Sequence, residues 1–278
     1  MPNDLSQSVS TALNEDIGSG DITAKLIPSN TTAKCRVICR ETAVIAGCAW
    51  FEEAFKQVDS SVNIQWHIAD GSAVTANTGL CEIEGNARSL LTAERTALNF
   101  LQTLSATATQ THRYVNAVSH TATRILDTRK TLPGLRNAQK YAVLCGGGHN
   151  HRKGLYDAIL IKENHIMAAG SIINAVSQAK ALNGQVKIEV EVENLDELKQ
   201  ALSACADIIL LDNMALGALK NAVSINQGRA KLEASGGVSL KTIRAIAETG
   251  VDYISIGDLT KNIQAIDLSM RFHNQETL

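Results

Sequence analysis

From residue 123 onward, apolar strand-like segments alternate with helical segments, and this rhythm limits the possible folds more than any other feature. We predict strands at 124–127, 158–162, 186–191, 208–212, 231–234 and 253–256. We predict helices between them at 172–181, 195–202, 215–223 and 240–249. Strands that alternate with helices form a parallel sheet. Because six strands fall short of the eight in a closed barrel, an incomplete barrel and an open doubly wound sheet both fit.

Each predicted strand ends in polar residues or glycine. These strand-end residues are Asp127 with Arg129 and Lys130, then Lys162, Glu191, Asp212, Ser235-Gly236-Gly237 and Gly257-Asp258. The carboxyl ends of parallel strands meet at one edge of the sheet, where sites gather in such folds. We therefore predict a functional site at this edge.

The residue types at the strand ends indicate what the site binds. Arginine and lysine suit carboxylate or phosphate groups. Two separated acids, Glu191 and Asp212, suit a hydrated Mg²⁺ and sugar hydroxyls. The Ser235-Gly236-Gly237 turn lets backbone N–H groups approach a phosphate. The predicted ligands are a phosphorylated sugar with a metal and a separate carboxylated partner.

Residues 127–165 concentrate positive charge, since they hold seven of the 26 lysines and arginines and three of the seven histidines. Two like charges ~4 Å apart repel by about 4 kcal/mol at an effective dielectric near 20, so the cluster favours a bound anion over a solvated face. The three histidines are His149, His151 and His165. No cysteine or acid lies near them at ligand spacing, so we expect hydrogen bonds from them rather than metal binding.

The first part of the chain is different in character. Residues 33–85 are strand-like with one helix at 49–57, which suggests a small sandwich of strands and helix. Residues 4–14 and 89–119 are predicted helices. The charged pair Glu94 and Arg95 interrupts the second helix, where a buried charge would be costly. Either this helix edge is exposed, or Arg95 reaches a ligand or a partner subunit.

Bulk composition excludes several classes of protein. The chain has a net charge of −2 and only 4% aromatic residues, which argues against nucleic-acid binding. Its six cysteines form no CxxC pair, so free thiols in a reducing cytoplasm are expected. No signal peptide and no apolar run of about 20 residues is evident. No GxGxxG after a strand, P-loop, GxSxG or HExxH motif is present.

Eight stretches of the sequence resemble the quinolinate phosphoribosyltransferase family. They are EDIGSGDIT at 15–23, ERTALNFLQTLS at 94–105, DTRKTLPGLRNAQKYAVLCGGGHNHRKGL at 127–155, LIKENH at 160–165, IEVEVENLDEL at 188–198, LLDNM at 210–214, EASGGVS at 233–239 and GVDYISIGDLT at 250–260. Leu132 stands where the family often has threonine, and Glu163 where it often has aspartate. Neither change replaces a charged ligand.

The resemblance implies the fold of a type II phosphoribosyltransferase. That fold is an α/β sandwich at 1–115, joined by the tail at about 265–278, with an incomplete seven-stranded α/β barrel at 116–264. It also implies a cytoplasmic enzyme that is a homodimer or a higher oligomer, in which Arg95 reaches the neighbouring active site. The activity implied is transfer of the phosphoribosyl group of phosphoribosyl pyrophosphate to quinolinate with loss of CO₂, in NAD biosynthesis.

The resemblance also assigns roles to individual residues. Quinolinate would be held by Arg95, Arg129, Lys130, His151, Arg152 and Lys162. Phosphoribosyl pyrophosphate would be held by Thr128, Lys130, Lys162, Glu191, Asp212, Ser235, Gly236, Gly237, Ile256, Gly257 and Asp258. Lys130, Glu191 and Asp212 would be catalytic, and the two acids would bind Mg²⁺ either directly or through water.

Two other functions are alternatives to phosphoribosyl transfer to quinolinate. A relative in the same family could use another acceptor, such as nicotinate or a pyrimidine-like ring, although the density of basic residues favours a dicarboxylate. A non-catalytic phosphate-binding barrel would not need both acids and bases at its edge. Measurement of CO₂ release from quinolinate would decide between these possibilities.

Overall fold

The computed structural model describes residues 1–182 and 186–272. The helices are α1 (Leu5–Ile17), α2 (Cys48–Val58), α3 (Ala87–Ala117), α4 (Arg136–Cys145), α5 (Glu163–Ala169), α6 (Ile172–Leu182), α7 (Leu195–Ser203), α8 (Leu216–Asn226), α9 (Ile243–Ala247) and α10 (Asp258–Lys261). The strands are β1 (Thr32–Cys39), β2 (Ala43–Val44), β3 (Asn63–Trp66), β4 (Ala73–Val74), β5 (Thr78–Asn86), β6 (Arg124–Leu126), β7 (Ile159–Ile161), β8 (Ile188–Val192), β9 (Ile208–Asp212), β10 (Lys231–Ser235), β11 (Tyr253–Ser255) and β12 (Leu268–Phe272).

The chain forms two compact units. Among the described residues, the first contains 1–110, 132–147 and 261–272, and the second contains 111–131 and 148–260. The boundaries predicted from the sequence were 115 and about 265. The main difference is 132–147, which lies between two barrel strands in the sequence but groups with the first unit.

Side-chain packing explains why α4 groups with the first unit. Its Ala138 and Ala142 lie in the same apolar core as α2. The Tyr141 ring packs on Trp50 with centroids 5.4 Å apart, and its hydroxyl donates a hydrogen bond to Asp70 at 2.8 Å. An apolar stripe thus decides where a helix packs, whatever its place in the sequence.

The first unit is built on an antiparallel sheet in the order β12-β1-β5-β3, with a separate pair β2-β4. Alternate residues Cys35, Val37 and Cys39 of β1 are fully buried, as the period-two pattern of the sequence predicts. Helix α2 adds Trp50 and other large side chains to this core. Strand β12 was not predicted from the sequence, although the resemblance placed the C-terminal tail with this unit. The part of that tail beyond 272 lies outside the described residues.

Helix α3 spans 31 residues and carries the charged pair singled out in the sequence. Arg95 is exposed and Glu94 is half-buried. Burial raises the pKa of the Glu94 carboxyl, and the neighbouring Arg95 partly offsets this effect. Polar residues recur along the helix, and no helix among the described residues is both long and apolar enough to cross a bilayer.

The second unit contains a six-stranded sheet in the order β6-β11-β10-β9-β8-β7, in which every pairing is parallel. The first strand of the unit pairs with the last, as in a barrel, and the opening lies between β6 and β7. This order identifies an incomplete barrel rather than an open doubly wound sheet. The six strands predicted from the sequence are confirmed. The resemblance implied a seventh strand. Besides the six strands, the described residues have one parallel bridge, between Leu126 and His149.

The two faces of this sheet differ sharply. Val190, Leu211 and Ala234 face the apolar core formed with the surrounding helices. The alternate positions Glu191, Leu210 and Glu233 are aligned across β8, β9 and β10 by the strand register. Because side chains alternate along a strand, these residues point to the opposite, inner face of the barrel. That inner face carries an unusual number of acids.

Candidate functional site

The carboxyl ends of β6–β11, together with the segments that follow them, form one rim of the barrel unit. Fourteen of the predicted site residues belong to this unit, namely Thr128, Arg129, Lys130, His151, Arg152, Lys162, Glu191, Asp212, Ser235, Gly236, Gly237, Ile256, Gly257 and Asp258. Arg95 belongs to the first unit, so its role at the rim stays a prediction.

Lys130 is fixed by contacts from both sides of its loop. Its backbone N–H donates to Thr128 Oγ1 at 3.0 Å, and its carbonyl accepts from Thr260 Oγ1 at 2.8 Å. A Cβ at Gly257 would lie only 3.0 Å from Lys130 Cδ, so glycine lets the lysine stem pass close to that turn. The loop after β6 and the turn after β11 therefore present their groups together.

Arg129 and Arg152 are two neighbouring cations of the rim. Arg129 Nε is buried and finds no hydrogen-bond acceptor in the described part of the chain. Burial lowers the pKa of Arg152, and the charge of Arg129 lowers it further, while Glu189 and Asp157 oppose the shift. A buried donor without an acceptor is costly, and two guanidinium groups repel, so the pair favours a bound anion.

The two acids of the predicted metal site lie on adjacent strands. Glu191 on β8 forms an ion pair with Lys162. Asp212 ends β9, and its Oδ2 accepts a hydrogen bond from Asn213 Nδ2 at 3.0 Å. Both carboxylates are only partly buried, and such hard oxygen donors fit a hydrated Mg²⁺.

The glycine turn after β10 is packed against the end of β9. Asn213 has a positive φ of 52°, and its N–H donates to Ser235 O at 2.9 Å. A Cβ at Gly236 would lie 2.0 Å from Asn213 Oδ1, and the φ of Gly236 is +94°. Asn213 thus connects the Asp212 carboxylate to the predicted phosphate turn. Asn213 was not assigned a role from the sequence, although asparagine tolerates a positive φ more readily than most residues.

We expect Gly236→Ala to raise KM for phosphoribosyl pyrophosphate by about 10-fold, because the new methyl must displace the side chain that orients Asp212. Steady-state kinetics with each substrate varied in turn would measure it. Gly228→Ala is the matched control, since Gly228 also has a positive φ of +76° but a Cβ there would meet no atom within 4 Å. A KM raised equally by both variants would show that backbone strain alone is responsible.

The residues around His151 were missed by the sequence analysis. His151 Nε2 lies 2.9 Å from Glu189 Oε2 and 3.7 Å from Glu233 Oε2. No acid lies at ligand spacing from His151 in the sequence, but the folded chain brings two glutamates to its ring. Glu189 and Glu233 precede Glu191 and Ser235 by two residues on β8 and β10, so strand alternation could have found them.

The other two histidines of the basic stretch have different surroundings. His165 Nδ1 accepts a hydrogen bond from the backbone N–H of Lys162 at 3.0 Å, at the start of α5. This contact caps the start of α5, so here the histidine accepts a hydrogen bond rather than donating one to a loop carbonyl. His149 takes part in the backbone bridge to β6, and burial, followed by Arg124, lowers its pKa.

Comparison with known proteins covers both units. Residues 21–105 and 107–271 match the N-terminal and C-terminal domain models of quinolinate phosphoribosyl transferase. The sequence is 41% identical over 257 residues to a probable nicotinate-nucleotide pyrophosphorylase (carboxylating) of Bacillus subtilis, covering 92% of this chain and 89% of that protein. It is 43% identical over 263 residues to the Synechocystis protein of the same name, covering 93% and 89%.

A solved structure is similarly close. The nicotinate-nucleotide pyrophosphorylase of Francisella tularensis superposes with a TM-score of 0.94 at 50% identity, covering 98% of each chain. The likeness thus extends over both units and over the whole rim.

Proposed function

Because the chain belongs to the quinolinate phosphoribosyltransferase family, we propose that its barrel rim transfers the phosphoribosyl group of phosphoribosyl pyrophosphate to quinolinate. The products are nicotinate mononucleotide, pyrophosphate and CO₂. The enzyme is a pentosyltransferase, the carboxylating nicotinate-nucleotide pyrophosphorylase of de novo NAD biosynthesis.

The arginine pair carries the assignment of the acceptor. Arg129 has a buried Nε without an acceptor among the described residues, beside the second guanidinium of Arg152. Quinolinate carries two adjacent carboxylates, which match two guanidinium groups better than one carboxylate would. Lys162 and Lys130 complete the cationic side, and we assign Arg95 of a second copy to the same ligand.

We assign the opposite part of the rim to phosphoribosyl pyrophosphate. Glu191 and Asp212 would hold the ribose hydroxyls and Mg²⁺, and Thr128 with Lys130 would meet the pyrophosphate. The backbone groups of two turns would bind the 5-phosphate. These turns are Ser235-Gly236-Gly237 and Ile256-Gly257-Asp258. The Ile256 N–H already donates to Leu126 O at 3.0 Å and its side chain is buried, so Ile256 would position its turn rather than donate to the phosphate.

The chain supplies positioning and charge rather than a covalent nucleophile. The pyridine nitrogen attacks C1 of the ribose as the C1–O bond to pyrophosphate breaks, and its electron pair leaves with the pyrophosphate. Glu191 and Asp212 favour the positive charge at the sugar, while Lys130 neutralises the leaving group. Mg²⁺, when bound, supplies further positive charge to pyrophosphate. Lys162 is paired with Glu191, and we assign it to both substrates.

Decarboxylation follows from the charge on the ring. Once the nitrogen is alkylated, it can stabilise an electron pair left at C2. The C2–carboxylate bond then breaks, CO₂ leaves, and C2 takes up a proton to give nicotinate mononucleotide. The remaining carboxylate stays with the cationic residues of the rim.

Assembly and location are further parts of the proposal. We propose a homodimer in which the exposed Arg95 of one copy serves the rim of the other. We also propose a cytoplasmic enzyme, which the free cysteines Cys35, Cys39 and Cys81 in its core support, since such thiols suit a reducing compartment.

The decisive experiment measures release of labelled CO₂ from quinolinate carrying the label in its 2-carboxylate. We expect release that requires both phosphoribosyl pyrophosphate and Mg²⁺ and that yields nicotinate mononucleotide in equal amount. A parallel reaction with nicotinate should give little product. Mononucleotide formed from nicotinate without CO₂ release would overturn the assignment.

A further inference from the structure

Two glutamates lie inside the barrel, below the rim residues that meet the substrates. Glu189 is 3% exposed and Glu233 is 1% exposed. They come from β8 and β10 and converge on the ring of His151. Buried acids are rare unless they are paired, so these two glutamates are expected to have a function. The proposed transfer reaction does not use either carboxylate directly.

The hydrogen bonds of His151 determine where its proton lies. Its Nδ1 is 2.7 Å from the backbone nitrogen of Arg152 and accepts a hydrogen bond from it. A backbone N–H can only donate, so Nδ1 must keep its lone pair. The proton of the neutral ring is therefore on Nε2, where it faces Glu189 Oε2 at 2.9 Å. Both ring nitrogens are thus engaged by the chain itself.

This proton arrangement excludes the cluster as an ordinary metal site, although the ligand atoms of His151, Glu189 and Glu233 lie within 4.8 Å of one another. A metal ion at Nε2 would have to displace the proton there. Nδ1 would still be accepting from Arg152, so the ring would become an anion. Neutral imidazole with its second nitrogen donating is the usual ligand form.

The ring instead connects the barrel interior to the segment that carries Arg152. The other support of this segment is Asp127, which is fully buried and accepts from His151 N at 2.9 Å and Asn150 Nδ2 at 2.6 Å. Resting on the proposed function, we propose that Glu189 and Glu233 are positioning residues that hold His151, and through it Arg152, in the geometry that binds quinolinate.

The charges around the ring agree with this role. The charged groups around His151 are Glu189 from β8 and Glu233 from β10 at its ring, Asp127 after β6 at its backbone N–H, and its chain neighbour Arg152. Burial, followed by the charge of Glu189, raises the pKa of Glu233 to about 7. Glu233 therefore holds its proton to higher pH than an ordinary carboxyl group, next to the Glu189 carboxylate that faces His151 Nε2.

The first test compares two substitutions of Glu189 by calorimetric titration with quinolinate. Glu189→Leu removes the acceptor for Nε2–H and should weaken quinolinate binding by about 10-fold or more, with KM for phosphoribosyl pyrophosphate unchanged. Glu189→Gln keeps an acceptor oxygen and should bind like the unmodified enzyme. Equal quinolinate affinity in all three proteins would overturn the inference. Failure of the unmodified enzyme to bind quinolinate would instead overturn the proposed function.

The second test observes the unmodified enzyme directly. Nitrogen NMR of isotope-labelled histidine should show His151 with its ring proton on Nε2 and none on Nδ1, because Nδ1 accepts from the Arg152 backbone. His151→Gln serves only to identify its signals. A proton on Nδ1 would overturn the inference.

Glu233→Gln adds a test by pH. At low pH, Glu233 is protonated in both the folded and the unfolded state. As the pH rises from about 4.5 to about 7, the unfolded state loses this proton first, so the free energy of unfolding falls. The Gln variant should therefore match the unmodified enzyme in Tm at about pH 4.5 and exceed it at about pH 8. Equal pH profiles would show that Glu233 carries no such proton.

Discussion

Replacing Arg129 with alanine is expected to weaken quinolinate binding about 100-fold, a loss of about 3 kcal/mol. The buried Nε of Arg129 has no acceptor in the described part of the chain, and its neighbour is a second cation. A dicarboxylate would satisfy the donor and relieve the repulsion at once. Calorimetric titration with quinolinate measures the effect without requiring turnover.

Two further variants separate charge from geometry at this position. Arg129→Lys keeps the charge but loses the planar fork, so its affinity for quinolinate should fall between those of the alanine variant and the unmodified enzyme. Lys153→Ala removes an exposed cation from the same basic stretch and should leave the affinity unchanged. If Lys153→Ala and Arg129→Ala weakened quinolinate binding equally, the overall positive charge of the stretch would be responsible rather than a specific contact.

Asp212→Asn should lower kcat/KM for phosphoribosyl pyrophosphate by about 100-fold or more, since it removes one of two anionic oxygen groups at the sugar and metal position. The substitution keeps the size of the side chain. An amide cannot carry the charge that attracts Mg²⁺ or favours a positive sugar, so the Mg²⁺ concentration for half-maximal activity should rise. Quinolinate affinity without phosphoribosyl pyrophosphate should not change.

The matched control for this variant is Asp196→Asn on α7. Asp196 has a side chain that is 84% exposed and pairs with Lys199 three residues along the same helix. Exposed pairs of this kind contribute little, so both kinetic constants should stay the same. An unchanged Mg²⁺ dependence in Asp212→Asn would remove Asp212 from the metal site and leave Glu191 as the remaining carboxylate there.

The barrel unit arranges its charges in two levels. Cations such as Arg129 and Arg152 occupy the rim, and the acids Asp127, Glu189 and Glu233 lie buried beneath them. Glu189 and Asp157 raise the pKa of Arg152, against the effects of burial and Arg129. The buried Glu189 and the exposed Asp157 thus help to keep Arg152 charged beside Arg129.

Several parts of this organisation follow from local pattern alone. The six barrel strands are short apolar runs with helices between them, and β9 begins and ends where the sequence predicts. The rim residues follow from the rule that parallel strands end at the same edge. The identity of the substrates came from the resemblance, which the family models and relatives confirm.

Other parts depend on partners that are distant in sequence. Strand β12 was not predicted because its pairing partner β1 lies more than 200 residues earlier. Helix α4 follows β6 in the sequence but packs in the core of the first unit, and sequence order does not show which core an apolar stripe faces. Glu189 and Glu233 were not predicted as site residues, because they lie within strands rather than at strand ends.

The sequence by itself determined which residues the rim would contain and what charges they would carry, because residue type and strand period are local properties. The tertiary structure alone decided that the first barrel strand pairs with the last, that Asn213 lies against Gly236, and that His151 meets two buried glutamates. These contacts form between segments brought together by the closing of the sheet, and no local pattern specifies them.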